Sequence, residues 1–281
     1  MERRIKRMGH SRGTVYPSDE LRARRGRFWW VAFAVVFLSL MGVVLWVWVR
    51  TRAGDGYGYG RAEPTLGMEG EVVACAAEDD EIVYHSRFND RMEIALSFDD
   101  GPHPRLTPVI LDILEEYGIK ATFFMVGENV GYYPAAARAV AEAGHEIANH
   151  TFSHRKFGKM TEGEMREEIA SCEQALASVS ESPVHFIRPP EGQMNETMRR
   201  VAGNLDYRII LWDVDTRDWA HTPPAEICRH ILDTVQAGDI ILMHDYIGRK
   251  SKTPEALERL LPELLRRGFE PVTVSRLLGE G

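Results

Sequence analysis

Between residues 92 and 274, short apolar runs alternate with longer segments that mix apolar and charged positions. The runs predict strands over 92–98, 121–126, 145–149, 184–187, 207–212, 239–243 and 271–274. The longer segments predict helices over 107–117, 134–143, 161–179, 196–202, 223–236 and 254–267. Gly118, Gly144, Gly238 and Gly268 close four of these helices, as expected of residues that tolerate a left-handed backbone. Thr161 and Glu164 frame a capping box. Asn195 and Thr197 fit a glycosylation triplet, but at a helix start they read as capping residues. Strands separated by helices imply parallel βα units. About 185 residues suit a small or incomplete barrel better than the full eight-unit kind. An open doubly wound sheet is the alternative.

Upstream the pattern changes. Residues 28–49 read FWWVAFAVVFLSLMGVVLWVWV, 22 residues without a charge. As a helix this run spans roughly 33 Å, enough to cross a hydrocarbon core. Trp29, Trp30, Trp46 and Trp48 stand near its ends, where indoles favour the membrane interface. Nine Lys/Arg precede the run, and only Arg50 and Arg52 follow closely. Residues 1–27 are therefore expected to be a basic cytoplasmic tail, with everything after the span outside. A cleaved signal peptide is the alternative, but its apolar region would be shorter, about 7–15 residues. Residues 50–70, with alternating glycines from Gly54 to Gly60, read as a flexible linker. Residues 71–90 read as a strand extension, with an antiparallel hairpin over 72–84, in front of a domain at 91–281.

Charge sharpens this division. The 281 residues carry a net −8 and are 44% apolar, ordinary for a folded chain. Residues 1–52 hold eleven Lys/Arg against three Asp/Glu, so the remainder carries −16. Nucleic-acid binding of the usual electrostatic kind is excluded, because phosphate contacts need a basic face. Cys75, Cys172 and Cys228 form no C-x-x-C, which excludes a zinc knuckle and allows at most one disulfide.

The candidate chemistry follows the predicted strand ends. After the first comes Asp99-Asp100-Gly101-Pro102-His103, and after the third His150-Thr151-Phe152-Ser153-His154. The fourth leads to Arg188-Pro189-Pro190-Glu191-Gly192, the fifth to Asp213, Asp215, Asp218 and Trp219, and the sixth to His244-Asp245. Parallel α/β folds build their sites at the carboxyl ends of strands. In a helical turn, His150 and His154 would project from one side and could share a metal with an adjacent carboxylate. Such a set leaves positions open for water. Arg188 can neutralise Asp99 and fix its rotamer. His244 has an ordinary pKa suited to proton transfer.

Ser-Phe-Asp-Asp-Gly-Pro (97–102), His-Thr-Phe-Ser-His (150–154), Arg-Pro-Pro-Glu-Gly (188–192), Asp-Thr-Arg-Asp-Trp (215–219) and Leu-Met-His (242–244) resemble the five ordered motifs of the polysaccharide deacetylases. This is the NodB-homology group, or carbohydrate esterase family 4, and the resemblance covers residues 90–275. It implies an α/β, distorted (β/α)7 barrel and metal-dependent removal of acetyl from an N-acetylated sugar. By position, Asp99 would be the general base and His244 the general acid. Asp100, His150 and His154 would hold the metal, usually zinc. Arg188 would orient Asp99. Asp218 would be the partner of His244, with Asp215 a second candidate. Leu242 and Trp219 would wall the acetyl pocket, and the Glu191 backbone N–H would help hold the oxyanion. Ser97 departs mildly from the usual Thr. Glu191 stands where an aromatic is common, so its carboxylate is expected to repel the lactyl carboxylate of muramic acid and favour N-acetylglucosamine. Peptidoglycan is the leading substrate and chitin-like oligomers the second. An O-acetyl esterase on xylan-like polymers and a non-catalytic carbohydrate binder are the alternatives.

Overall fold

The computed structural model describes residues 82–83, 86, 91–248 and 251–280. The tail at 1–27, the span at 28–49, the linker at 50–70 and nearly all of 71–90 lie outside the described residues. Among the described residues, no helix is long and apolar enough to cross a membrane.

The sheet has nine strands: β1 (Ile82–Val83), β2 (Glu93–Asp99), β3 (Thr122–Met125), β4 (Glu146–Asn149), β5 (Phe186–Ile187), β6 (Arg208–Ile210), β7 (Val214–Asp215), β8 (Ile240–His244) and β9 (Glu270–Val272). They run in the order β1-β6-β5-β4-β3-β2-β8-β7, and every pairing is parallel. β9 pairs with Glu93–Ala95 of β2, and β3 with Ser97–Asp99 of the same strand. Helices Leu106–Glu116, Pro134–Glu142, Glu162–Ala177, Glu196–Asn204, Pro224–Thr234 and Thr253–Arg266 lie where helices are expected. The Thr161/Glu164 capping box forms, and Asn195 caps its helix by accepting from the Met198 N–H.

One expectation needs correction and another is only partly described. Among the described residues Ile82–Val83 pairs parallel with β6, and the rest of the hairpin expected over 72–84 lies outside them. The single strand expected over 207–212 stops at Ile210, and the chain turns at 211–213 before β7. Two short helices, Gly127–Tyr132 and Val274–Leu277, also go beyond the expected set.

Strand alternation decides where the core sits. Ile94, Leu96 and Phe98 of β2 pack with Phe123, Ile147 and Ile241 against the helices. The intervening Ala95 packs instead with Phe124, Ala148, Phe186, Ile210, Ile240 and Val272, and the short Val274–Leu277 helix joins them. A flat sheet could not bring these second-face residues from seven strands into one cluster, so the sheet is curled into an incomplete barrel. Ser97 and Asp99 continue the inward row of Ala95, which carries Asp99 to the carboxyl mouth of the curl.

Candidate active site

The carboxyl end is built from tight backbone. Six of the seven non-glycine residues with positive φ lie there: Asp100, Thr151, His154, Glu191, Arg217 and His221. Such conformations cost energy and persist only where surrounding contacts enforce them.

Asp99 ends β2 and is buried, with Arg188 facing it from the turn after β5. Arg188 has no exposure, and each of its three side-chain nitrogens donates. Nη1 donates to Asp99 Oδ1 at 2.6 Å and to Ser97 Oγ at 2.9 Å. Nη2 donates to the Leu211 carbonyl at 2.9 Å, and Nε to that of Ile210 at 3.1 Å. The guanidinium carbon lies 4.0 Å from the Phe124 ring centre. A buried cation is tolerable only when satisfied in this way. One carboxylate oxygen of Asp99 is thereby bound. The other, Oδ2, faces His150 Nε2 at 3.8 Å.

Asp100 Oδ1 lies 3.3 Å from His150 Nε2 and 3.0 Å from His154 Nε2. His150 Nδ1 is 2.7 Å from the Arg188 carbonyl oxygen. A carbonyl only accepts, so Nδ1 donates to it and Nε2 is turned toward Asp100. Asp100 Oδ1 is buried without a hydrogen-bond partner. Burial alone would raise the Asp100 carboxyl, but His150 and His154 outweigh it and hold it well below the usual carboxylate range. One donor atom from each of the three residues lies within 4.8 Å of the others. An orphaned carboxylate oxygen facing two imidazoles fits a divalent cation, and this N/O set suits zinc. The two histidines do not share a helical turn, as their spacing suggested. Left-handed Thr151 and His154 bend a loop that turns both rings inward.

Across the mouth, Asp218 is fully buried and holds His244 at two points. Its Oδ1 is 2.7 Å from His244 Nδ1, and its Oδ2 accepts the His244 backbone N–H at 2.8 Å. Thr253 Oγ1 donates to Oδ2 at 2.6 Å, and the Trp219 N–H donates to Oδ1 at 2.9 Å. Burial lowers the His244 pKa, but Asp218 outweighs it and the imidazole is pushed up to about 9. Asp215 is not the partner of His244; it accepts from the Arg217 N–H at 2.8 Å and from Trp219 Nε1 at 3.3 Å, bracing the indole. Trp219 is half exposed at the rim, and Leu242 is buried on the strand face it shares with His244.

The Glu191 carboxylate is not the bare charge expected. Lys156 Nζ lies 2.7 Å from it, and Gln193 donates to the same oxygen at 3.1 Å. Lys156 stands 35 residues away, and nothing in the local pattern signals the pair. Sequence reasoning also missed Thr253 and Asn129, whose side-chain amide donates to the Asp100 carbonyl at 2.8 Å. It noted Asp245 beside His244 but gave it no task. Cys172 and Cys228 are buried free thiols, while Cys75 lies outside the described residues.

Known proteins carry the same arrangement of sequence and fold. A family model described as polysaccharide deacetylase matches residues 87–210. Over 192 residues the chain is 38% identical to a peptidoglycan-N-acetylglucosamine deacetylase of Bacillus cereus, covering 68% of this chain and 90% of that protein. Over 189 residues it is 33% identical to a chitooligosaccharide deacetylase of Bradyrhizobium, covering 63% of this chain and 86% of that one. A crystal structure of a peptidoglycan N-acetylglucosamine deacetylase, in complex with 4-naphthalen-1-yl-N-oxidanyl-benzamide, is similar with a TM-score of 0.70 and 33% identity. That likeness covers 73% of this chain and 95% of the other.

Proposed function

The chain belongs to the polysaccharide deacetylase family and is a polysaccharide deacetylase; from that premise we propose that it removes the N-acetyl group from N-acetylglucosamine units of peptidoglycan, with a divalent metal, zinc, at Asp100, His150 and His154. Chitin-like oligomers are the second substrate. Both substrates are those in the names of relatives that align over most of their own length.

The observation that carries this reading is the separate wiring of two proton carriers on either side of a three-donor site. When bound, the ion would polarise the amide carbonyl and acidify a water. Asp99 has one oxygen fixed by Arg188, so Oδ2 is the atom that takes a proton from the attacking water. His244 is anchored through Nδ1, which makes Nε2 the donor to the departing sugar amine. An amine leaves poorly unless protonated, and an imidazole pushed up to about 9 carries its proton at neutral pH. Leu242 and Trp219 border the acetyl methyl, and the Glu191 backbone N–H contributes to the oxyanion site.

We also propose that residues 28–49 form a single span with the catalytic domain on the extracytoplasmic side, where a wall glycan is found. The support is the uncharged run and its charge asymmetry. Protease added to intact cells should reach the domain, and protection would reverse the topology.

Acetate release from peptidoglycan, N-acetylglucosamine oligomers and acetylated xylan tests the activity. Chelation should abolish release and added zinc restore it. Asp99→Asn should keep stoichiometric metal and lose about 10²–10⁴ in rate. Near-wild-type turnover would remove Asp99 from the base role. Release from xylan alone would make the protein an O-acetyl esterase.

A further inference from the structure

His103, Tyr133 and Tyr246 take no part in the proton chemistry, yet they form one aromatic group at the carboxyl rim. The His103 and Tyr246 rings stack with centroids 4.7 Å apart and planes 8° from parallel. Tyr133 meets His103 edge-on at 6.1 Å. Tyr246 is 39% exposed, Tyr133 36% and the adjoining Tyr132 71%. Clustered aromatic surface left open to water marks a contact site more often than a packing accident.

Their position relative to the reacting groups is fixed by the sheet. Asp99 and His244 are register partners on β2 and β8, so the segments that follow emerge side by side. His103 comes four residues after Asp99, and Tyr246 two after His244. Tyr133 follows the short helix whose Asn129 holds the Asp100 carbonyl.

The group is also rigid. The His103 backbone N–H donates to Thr107 Oγ1 at 2.8 Å, and the Thr107 hydroxyl donates a hydrogen bond to buried Asp245, the neighbour of Tyr246. A Cβ at Gly101 would stand 2.1 Å from that carboxylate, so the Asp245 side chain occupies the space directly against the turn. His103 Nδ1 accepts from the Arg105 and Leu106 N–H groups at 3.3 and 3.2 Å, which orients the ring. On the far side of the mouth, by contrast, the rim is charged, with Lys156 on Glu191 and Arg155 near Glu168.

We propose that His103, Tyr133 and Tyr246 form a shelf that binds a neighbouring pyranose of the glycan strand while the acetylated sugar occupies the metal site. A pyranose presents a face of C–H groups that packs on an aromatic ring, and its hydroxyls stay in water. A flat, preformed stack loses little conformational entropy on binding. The charged side of the rim offers no such surface. The proposal rests on the polysaccharide reading above and adds where the polymer lies.

The test compares wild type, Tyr246→Ala and Tyr246→Phe on the monomer and pentamer of N-acetylglucosamine, by acetate release and by calorimetric binding of the pentamer. The ratio of kcat/KM for pentamer over monomer should fall about threefold to tenfold in Tyr246→Ala, mainly through KM, and hold in Tyr246→Phe. An unchanged ratio, including an equal loss on both substrates, would overturn the shelf. Should Tyr246→Ala not fold, Tyr133→Ala carries the same expectation. If wild type releases no acetate from any glycan, the deacetylase reading fails, and the calorimetry still decides the shelf. Weaker pentamer binding in Tyr246→Ala but not Tyr246→Phe supports it, and equal affinities sink it.

Discussion

One strand carries an acidic residue at each end, and the two are treated differently. Glu93 opens β2 at the amino end of the sheet, where exposed Arg276 and Arg91 approach it at 3.2 and 3.3 Å. Asp99 closes the same strand at the carboxyl end, where Arg188 meets it with no exposure at all. Glu93 is as buried as Asp99, but Arg91 and Arg276, which reach it, are themselves exposed. Arg188 is also committed to Ser97, Ile210 and Leu211, so it cannot shift with the charge it serves. Neutralising a charge requires only a cation nearby. Positioning a base requires one oxygen held and the other left for the substrate side, and only the carboxyl end does this. The same asymmetry runs through the backbone, where Asp206 is the one left-handed non-glycine residue outside the carboxyl mouth among the described residues.

Arg188→Ala should give the largest effect, because it leaves the Asp99 carboxylate buried without its cation. Breaking a buried pair from one side costs about 3–5 kcal/mol. Denaturant titration should show that loss, and adding Asp99→Asn to Arg188→Ala should recover part of it. A loss below about 1 kcal/mol, the range of exposed pairs, would put Arg188 in the same class as the amino-end arginines.

Asp218→Asn breaks the comparison on the other proton carrier. In the proposed mechanism the His244 imidazole acts protonated, and a raised pKa keeps the proton until the pH climbs through about 9. Without the Asp218 charge, only the more distant Asp99 and Asp100 carboxylates oppose burial, and the imidazole pKa falls. The alkaline limb of kcat should therefore move down from about pH 9 toward neutrality, lowering the rate at pH 8 by up to about tenfold. The amide also sets an N–H against the donors now bound by Oδ2, so the diagnostic is the limb's position rather than the peak rate. An unmoved limb would mean that His244 does not supply the proton.

How much of this was legible in the sequence follows from the range of each interaction. Strands and helices with their glycine stops are local, and six helices lie where the pattern put them. The site residues were legible because parallel topology turns every strand end toward one mouth, so a residue's place in its own segment predicts its company. The partners that tune them were not. Lys156 finds Glu191 and Thr253 finds Asp218 across distant segments, and no periodicity encodes such a pair. The loop of His150 and His154 was misread because a spacing of four is shared by helices and by left-handed turns. The parallel partner of the first short strand was not foreseen, because a strand's own residues do not name its neighbour. The uncharged run over 28–49 was as plain as any pattern in the chain, but it lies outside the described residues.

The smallest effect is expected at the amino end, and it is the control that gives the comparison its meaning. Arg276 is half exposed and reaches both Glu93 and Glu270. In Arg276→Ala, Glu93 keeps the Arg91 contact at 3.3 Å, and water can enter where the long side chain lay. Because Arg276 is exposed and Arg91 remains on the buried Glu93 carboxylate, the loss should be about 1 kcal/mol, and less at high salt. Arg276→Ala should therefore shift the denaturant midpoint slightly, with the shift shrinking as salt is added. Acetate release should be untouched, since no hydrogen bond runs from Arg276 to the carboxyl mouth among the described residues. A loss comparable to that of Arg188→Ala would mean that Glu93 is as dependent on one cation as Asp99 is. The contrast between the two ends of β2 would then lie only in the exposure of their arginines and not in function.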